Sequence, residues 1–182
     1  HLTIPHKVSV LEYLDEISST AKTMGAVNTV MNIDGKLVGE NTDGKGFMES
    51  LKKDAKVNPA GKNIVILGAG GAARAICVEL AFANVDSITI INRSTKRGEE
   101  LAQLLSESSN VTVDFLPWDN LLSLPSDVDI LVQATSIGLY PNKEKPSINY
   151  DSLKPGILAC DVIPNPPQTE FLQEANSVGA KT

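Results

Sequence analysis

Lys7 and Asp43 are an ammonium and a carboxylate of the types that can move a proton. They lie ahead of a glycine-rich turn, Gly68-Ala69-Gly70-Gly71-Ala72-Ala73. An ammonium within reach of a forming oxyanion can hand it a proton and stabilise its charge as it develops. A carboxylate beside the ammonium orients it. The turn follows an apolar run, Ile64 to Leu67, and opens a helix of small residues, Ala72 to Ala83. A turn so placed offers unshared backbone N–H groups to a phosphate. Proton donor, partner carboxylate and phosphate cradle, in that order, suit an enzyme that transfers a hydride and a proton together.

The plain structural alternatives are a surface lysine that starts a helix at Lys7 and a helix N-cap at Asp43, before Gly44 to Leu51. The glycine loop also has one, a structural turn. The strand before it, the helix after it and a second βα unit beyond argue against that. Gly68 permits the tight turn, Gly70 lets backbone approach a pyrophosphate, and Ala73 lets helix and strand pack closely. The end of the next strand then selects the nucleotide. An acid there would bind the ribose 2′-OH of NAD. This chain has Asn92-Arg93-Ser94-Thr95-Lys96-Arg97 instead, with three cations and no acid. Guanidinium groups clamp phosphate oxygens with paired bonds, so the residues favour NADP over NAD. A solvated loop is the alternative, but cations at a helix N-terminus oppose its dipole.

Hydropathy positions these groups. Before residue 58 the sequence predicts helices over 7–14 and 18–24 and strands over 26–33 and 36–39. The strands are joined by an Asp34-Gly35 hairpin turn, and a helix follows Asp43. Asn58-Pro59-Ala60-Gly61 is the boundary candidate. Beyond it, strands at 64–67, 87–91, 111–115, 129–134 and 158–163 alternate with helices at 72–83, 95–106 and 169–177. This alternation predicts an α/β fold, a Rossmann-type doubly wound parallel sheet over 58–182. Residues 1–57 are then a partial α/β substrate-binding domain. The first residue is not Met, and the segment from Ser177 stops where another strand is due. Both features suggest missing material at the two ends.

Of the 182 residues, 42% are hydrophobic and 21% charged, which suits a globular protein with a sizeable core. The formal charge of −6 argues against nucleic acid or an acidic membrane as partner. No run approaches the roughly 18–20 apolar residues that span a bilayer, and the N-terminus is no signal peptide. A cytoplasmic protein is expected. Cys77 and Cys160 lie in apolar segments outside any metal or redox spacing. They read as buried reduced thiols, and no metal site is expected.

Several segments now add up. Thr3-Ile4-Pro5-His6-Lys7, Gly25-Ala26-Val27-Asn28-Thr29, Asn41-Thr42-Asp43-Gly44, the Gly68 loop, Asn92-Arg93-Ser94 and Ala134-Thr135-Ser136 follow in this order. Together they resemble shikimate dehydrogenase and its quinate/shikimate relatives over almost the whole chain. The resemblance implies reversible reduction of 3-dehydroshikimate to shikimate by NADPH, in a cleft between two domains. It implies Lys7 as the catalytic acid/base and Asp43 as its partner, with Thr3 and Asn28 also on the substrate. It places the cofactor on Gly68, Ala69, Gly70, Gly71, Ala72, Asn92, Arg93, Ser94, Arg97, Thr135, Ser136 and Val162. Whether the protein is a monomer or a homodimer stays open.

The sequence departs from the family pattern in three ways. A serine pair and a glutamine of the family's substrate site fall outside it. Pro164 stands where a tyrosine is usual, which removes a hydroxyl and fixes φ. Such a swap can change the substrate, so quinate or another cyclic polyol remains open. Gln133 stands where asparagine is usual. His6 and Trp118 read as packing residues. Two other readings stay in play: a nucleotide-binding regulator without turnover, and a different two-domain dehydrogenase such as a methylenetetrahydrofolate dehydrogenase.

Overall fold

A computed structural model of the protein describes residues 1–2 and 6–182. The leading part holds a small sheet of β1 (Glu16–Ile17), β2 (Thr29–Ile33) and β3 (Lys36–Glu40), in the order β1-β3-β2. Strands β2 and β3 are antiparallel, and β1 runs parallel to β3. Asp34 and Gly35 take φ of 51° and 89°, the positive values that a type I′ hairpin demands. Three helices accompany this sheet: α1 (His6–Ser9), α2 (Ser19–Met24) and α3 (Asp43–Lys53).

The helix expected over 7–14 is not continuous. α1 lasts one turn and gives way to a 3₁₀ turn, Val10–Tyr13. Neither segment buries a side chain, and Val8 and Tyr13 are 63% and 68% exposed. Short helices are marginal without an apolar face to bury. The strand β1 has no counterpart in the sequence reading, because two residues carry no periodic signal. A second correction concerns Asp43. The N-cap of α3 is Thr42, and Asp43 is the first residue of the helix. Its carboxylate is therefore free of capping and favourably placed against the helix dipole.

The second sheet has five parallel strands, β4 (Asn63–Leu67), β5 (Ser87–Asn92), β6 (Thr112–Pro117), β7 (Ile130–Gln133) and β8 (Leu158–Asp161). Their order is β6-β5-β4-β7-β8. Their alternate side chains enter two cores, as expected for strands covered on both faces. Ile64, Ile66, Ile88 and Ile90 pack with Leu80 of α4 (Gly71–Phe82) and Leu101 and Leu105 of α5 (Thr95–Ser108). Val65, Leu67, Ile91 and Leu131 face the opposite way, towards Trp118, Tyr150 and Phe171 of α6 (Glu170–Ser177). Beyond β8, Lys181 bridges to Leu158 in parallel. The chain leaves β4 towards β5 and β6, then returns to build β7 and β8 on the other side. Such a switch of direction opens a crevice at the carboxyl ends of the strands, where ligands of this fold bind.

Side-chain caps locate three helix starts. Ser18, Ser94 and Thr169 each accept a backbone N–H from the first turn of α2, α5 and α6. Trp118 is 8% exposed and donates its indole N–H to Ser147 O, a packing role. Cys77 is buried, but Cys160 is only half-buried, contrary to expectation. Burial pushes both thiols up to about 12, so neither is a ready thiolate. Among the described residues no helix is long and apolar enough to cross a membrane.

One carboxylate sits badly in this packing. Glu79, on α4, has a buried Oε1 with no hydrogen-bond partner. Burial pushes its carboxyl above the ordinary glutamate value, and Lys45 and the Thr20 hydroxyl only partly oppose this, while the Glu40 charge adds to it. A carboxyl raised in the folded state stabilises the fold below the ordinary glutamate value, about pH 4. That contribution is lost as pH rises through the raised value. Glu79→Gln should therefore be more thermostable than the parent at neutral pH, with the advantage shrinking towards pH 4. Thermal unfolding across that range checks it, and an advantage independent of pH would show that Glu79 is not the titrating group.

Candidate active site

The Lys7–Asp43 pair joins α1 to the first residue of α3. Lys7 Nζ donates to Asp43 Oδ2 at 2.7 Å. Asn28 Nδ2 donates to Asp43 Oδ1, also at 2.7 Å. Each carboxylate oxygen thus has one fixed donor and a lone pair to spare for a hydroxyl. The side chains of Lys7 and Asp43 remain 27% and 40% exposed, so both are reachable.

Buried amides hold the pair in place. Asn28 is 6% exposed, and its Oδ1 accepts the Thr42 N–H at 3.0 Å. Asn41 is 2% exposed; its Oδ1 accepts the Asp43 N–H at 3.1 Å and its Nδ2 donates to Ala26 O at 3.1 Å. The Lys7 carbonyl accepts Val27 N–H at 2.8 Å, which ties α1 to the segment carrying Asn28. Sequence reasoning missed Asn41, although its place two residues before an acid at a helix start is a known turn signal. Thr3 lies outside the described residues.

The Gly68 loop occupies the switch point between β4 and β7. Gly68 has φ 113°, and a Cβ there would lie 2.8 Å from Ala134 O and 3.1 Å from Thr135 Cγ2. Only glycine allows β4 to turn this close to the chain leaving β7. Thr135 is thereby brought beside the loop, with Ser136 exposed next to it. Gly70 is the N-cap of α4 and supplies no side-chain cap, and a Cβ on Gly70 or Gly71 would meet open space. The first N–H groups of α4 therefore face open space, as an approaching phosphate requires.

At the end of β5, Asn92 Nδ2 donates to Ser94 O at 2.9 Å, and Ser94 caps α5. These two residues shape the turn. Arg93 and Arg97 are exposed, and among the described residues neither is in an ion pair. Both guanidinium groups are free to take a phosphate.

One cleft of about 600 Å³ joins the two parts. It is lined by Lys7, Asn41, Asp43 and Phe47 on one side and by Gly71, Ala72, Asp161 and Val162 on the other. The structure therefore brings Lys7, Asp43, Gly71, Ala72 and Val162 together. Arg93, Ser94 and Arg97 lie apart from it, beyond the Gly68 loop, whose Gly68 N–H donates to Ile91 O at 2.8 Å. Asp161, which opens the segment containing Pro164, also lines the cleft.

The Shikimate / quinate 5-dehydrogenase profile matches residues 50–151, and the Shikimate dehydrogenase substrate binding domain profile matches residues 1–30. The chain belongs to the shikimate / quinate 5-dehydrogenase family. It is 45% identical to the shikimate dehydrogenase (NADP(+)) of Desulforamulus reducens, over 100% of this chain and 64% of that protein. The 5-ketofructose reductase of Gluconobacter sp. strain CHM43 superposes with a TM-score of 0.95 at 49% identity, covering 99% of this chain and 64% of that one. The shikimate 5-dehydrogenase of Thermus thermophilus, solved with NADP(H) and shikimate, gives 0.82 at 34% identity over 99% and 64%. The chain thus spans just under two thirds of the length of these relatives.

Proposed function

We propose that the protein is an NADP-dependent oxidoreductase that passes a hydride reversibly between NADPH and a polyhydroxylated ketone, with 3-dehydroshikimate and shikimate as the pair. The observation that carries this reading is the shared cleft. A lysine–aspartate pair at 2.7 Å faces the first turn of a phosphate-cradle helix across it. When bound, the nicotinamide supplies or takes up the hydride. Lys7 Nζ gives its proton to the ketone oxygen as that oxygen gains charge, and takes one back in the reverse direction. Asp43 keeps the ammonium aimed and accepts a substrate hydroxyl on its spare lone pair. Asn28 fixes the carboxylate and the turn behind it. Residues 1–57 would hold the substrate and 58–182 the nucleotide, in a cytoplasmic enzyme without nucleic-acid or membrane partners. A non-catalytic regulator would have no need of the oriented ammonium.

Gly68, Ala69, Gly70, Gly71 and Ala72 would hold the pyrophosphate. Arg93 and Arg97 would hold the 2′-phosphate in a turn shaped by Asn92 and Ser94, with Thr135, Ser136 and Val162 at the nicotinamide. Arg93→Asp removes a clamp and adds a ribose acceptor. It should lower the kcat/KM ratio of NADP to NAD by about tenfold to a hundredfold, the value of one or two charge-assisted bonds. An unchanged ratio would take Arg93 out of the site.

A second reading concerns the substrate. Pro164 lacks the hydroxyl that the family's usual tyrosine would offer, and identity to the ketofructose reductase, 49%, exceeds that to the D. reducens enzyme, 45%. These features admit a keto-sugar as a second substrate class, and quinate is a third. Steady-state oxidation of shikimate and quinate and reduction of 5-ketofructose, each with both nucleotides, decides among them. Absence of turnover with all three would overturn the oxidoreductase reading.

A further inference from the structure

Strands β7 and β8 end at paired positions, Gln133 opposite Asp161. Each side chain bonds back to the loop that its own strand feeds. Gln133 is fully buried; its Oε1 accepts Thr135 N–H at 2.6 Å and its Nε2 donates to Ile137 O at 2.9 Å. Asp161 repeats the device. Its Oδ1 accepts Ile163 N–H at 3.0 Å and its Oδ2 accepts the Thr169 hydroxyl at 2.6 Å. Thr169 is 2% exposed and also caps α6 through Leu172 N–H at 3.3 Å. The loop of residues 162–168 is therefore pinched shut at its base. Its tip is tied to the neighbouring loop where Asn165 O accepts Tyr140 N–H at 3.0 Å. A Cβ on Gly138 of that neighbouring loop would lie 3.6 Å from Ile163 Cδ1, so the two loops are packed against one another.

We infer that Asp161 is a positioning residue, which sets the place of the loop carrying Val162 and Pro164 against the cleft through its bonds to Ile163 and Thr169. The inference rests on the proposed reading of that cleft as the site of hydride transfer. Asp161 lines the cleft with Lys7 and Asp43. Pro164, Pro166 and Pro167 leave the loop three backbone donors fewer with which to hold itself. The position of Pro164 is then inherited from the carboxylate at the base. Burial pushes the Asp161 carboxyl up, while Thr169 and the backbone amides hold it down, the mark of a group kept for the bonds it makes.

The test combines backbone exchange with kinetics on the purified protein, for Asp161→Asn, Thr169→Val and Thr169→Ser. Asp161→Asn and Thr169→Val should speed amide exchange in residues 162–168 by about tenfold and leave β4 and α4 unchanged. Both should raise the KM of the ketone or polyol by about fivefold or more, with kcat within about twofold. Thr169→Ser keeps the hydroxyl and should restore both readouts. Parental exchange in both disrupting variants, or a loosened loop with an unchanged KM, overturns the assignment. Should the parent turn over none of the tested substrates, the oxidoreductase reading fails. The exchange data then judge the clamp alone: faster loop exchange supports it and unchanged exchange removes it.

Discussion

Lys7→Ala should lower kcat by about 10²–10⁴-fold, the range that a positioned proton donor contributes. NADP binding should stay close to that of the parent, because Lys7 stands opposite the phosphate loop and makes no part of it. The fold should hardly notice the change. An ion pair with side chains 27% and 40% exposed contributes at most about 1 kcal/mol to stability. Asp43 also keeps its bond from Asn28, so no carboxylate is stranded. A variant with normal melting, normal nucleotide affinity and no turnover separates chemistry from architecture. Stopped turnover with lost nucleotide binding would place Lys7 in a structural role, and retained turnover would remove it from the mechanism.

Gly44→Ala should be the most damaging change that touches neither the proton pair nor the phosphate loop. A Cβ at Gly44 would collide with the Ala75 carbonyl oxygen and lie 2.6 Å from Glu79 Cγ and 2.9 Å from the Ala75 carbonyl carbon. Those backbone atoms belong to the middle of α4 and cannot rotate away. α3 and α4 would have to part, and α3 carries Asp43 as its first residue while α4 carries Gly71 and Ala72. Overpacking of this kind costs about 1–3 kcal/mol, or roughly 2–10 °C in a chain of this size. A shift near 1 Å between reacting groups costs about 10²-fold in rate. The expected result is a folded protein, melting several degrees lower, with kcat reduced about a hundredfold and nucleotide affinity retained. Melting curves and steady-state kinetics on the same preparation check both halves. An unchanged kcat would mean that the spacing of these two helices does not set the geometry of the cleft.

The sequence is legible where a physical constraint acts over a short window. The Asp34-Gly35 turn and the five apolar strands each rest on local rules, and the structure has them. α1 misleads because Val8, Val10, Leu11 and Leu14 imitate a helical stripe that in fact finds no core to cover. The capping alternative for Asp43 arises because a carboxylate before Gly44 suits that role; the actual cap, Thr42, makes no side-chain bond to α3. The pairing of Lys7 with Asp43 follows only from the resemblance, since no spacing rule joins residues so far apart in the chain. The roles of Asn41, Gln133 and Asp161 escape for the same reason. Their work is done by bonds to backbone groups whose positions exist only once the strands are aligned.

The turn after β5 and the ammonium at residue 7 stand on opposite sides of the Gly68 loop, and among the described residues no hydrogen bond connects them. On the proposed reading, coenzyme choice and proton delivery are separable traits. A lineage could trade one nucleotide for another by editing Arg93 and Arg97, or adopt a new sugar by editing the loop at Pro164, without retuning the lysine. Such modularity gives a simple reason why close kin can handle different metabolites on one scaffold.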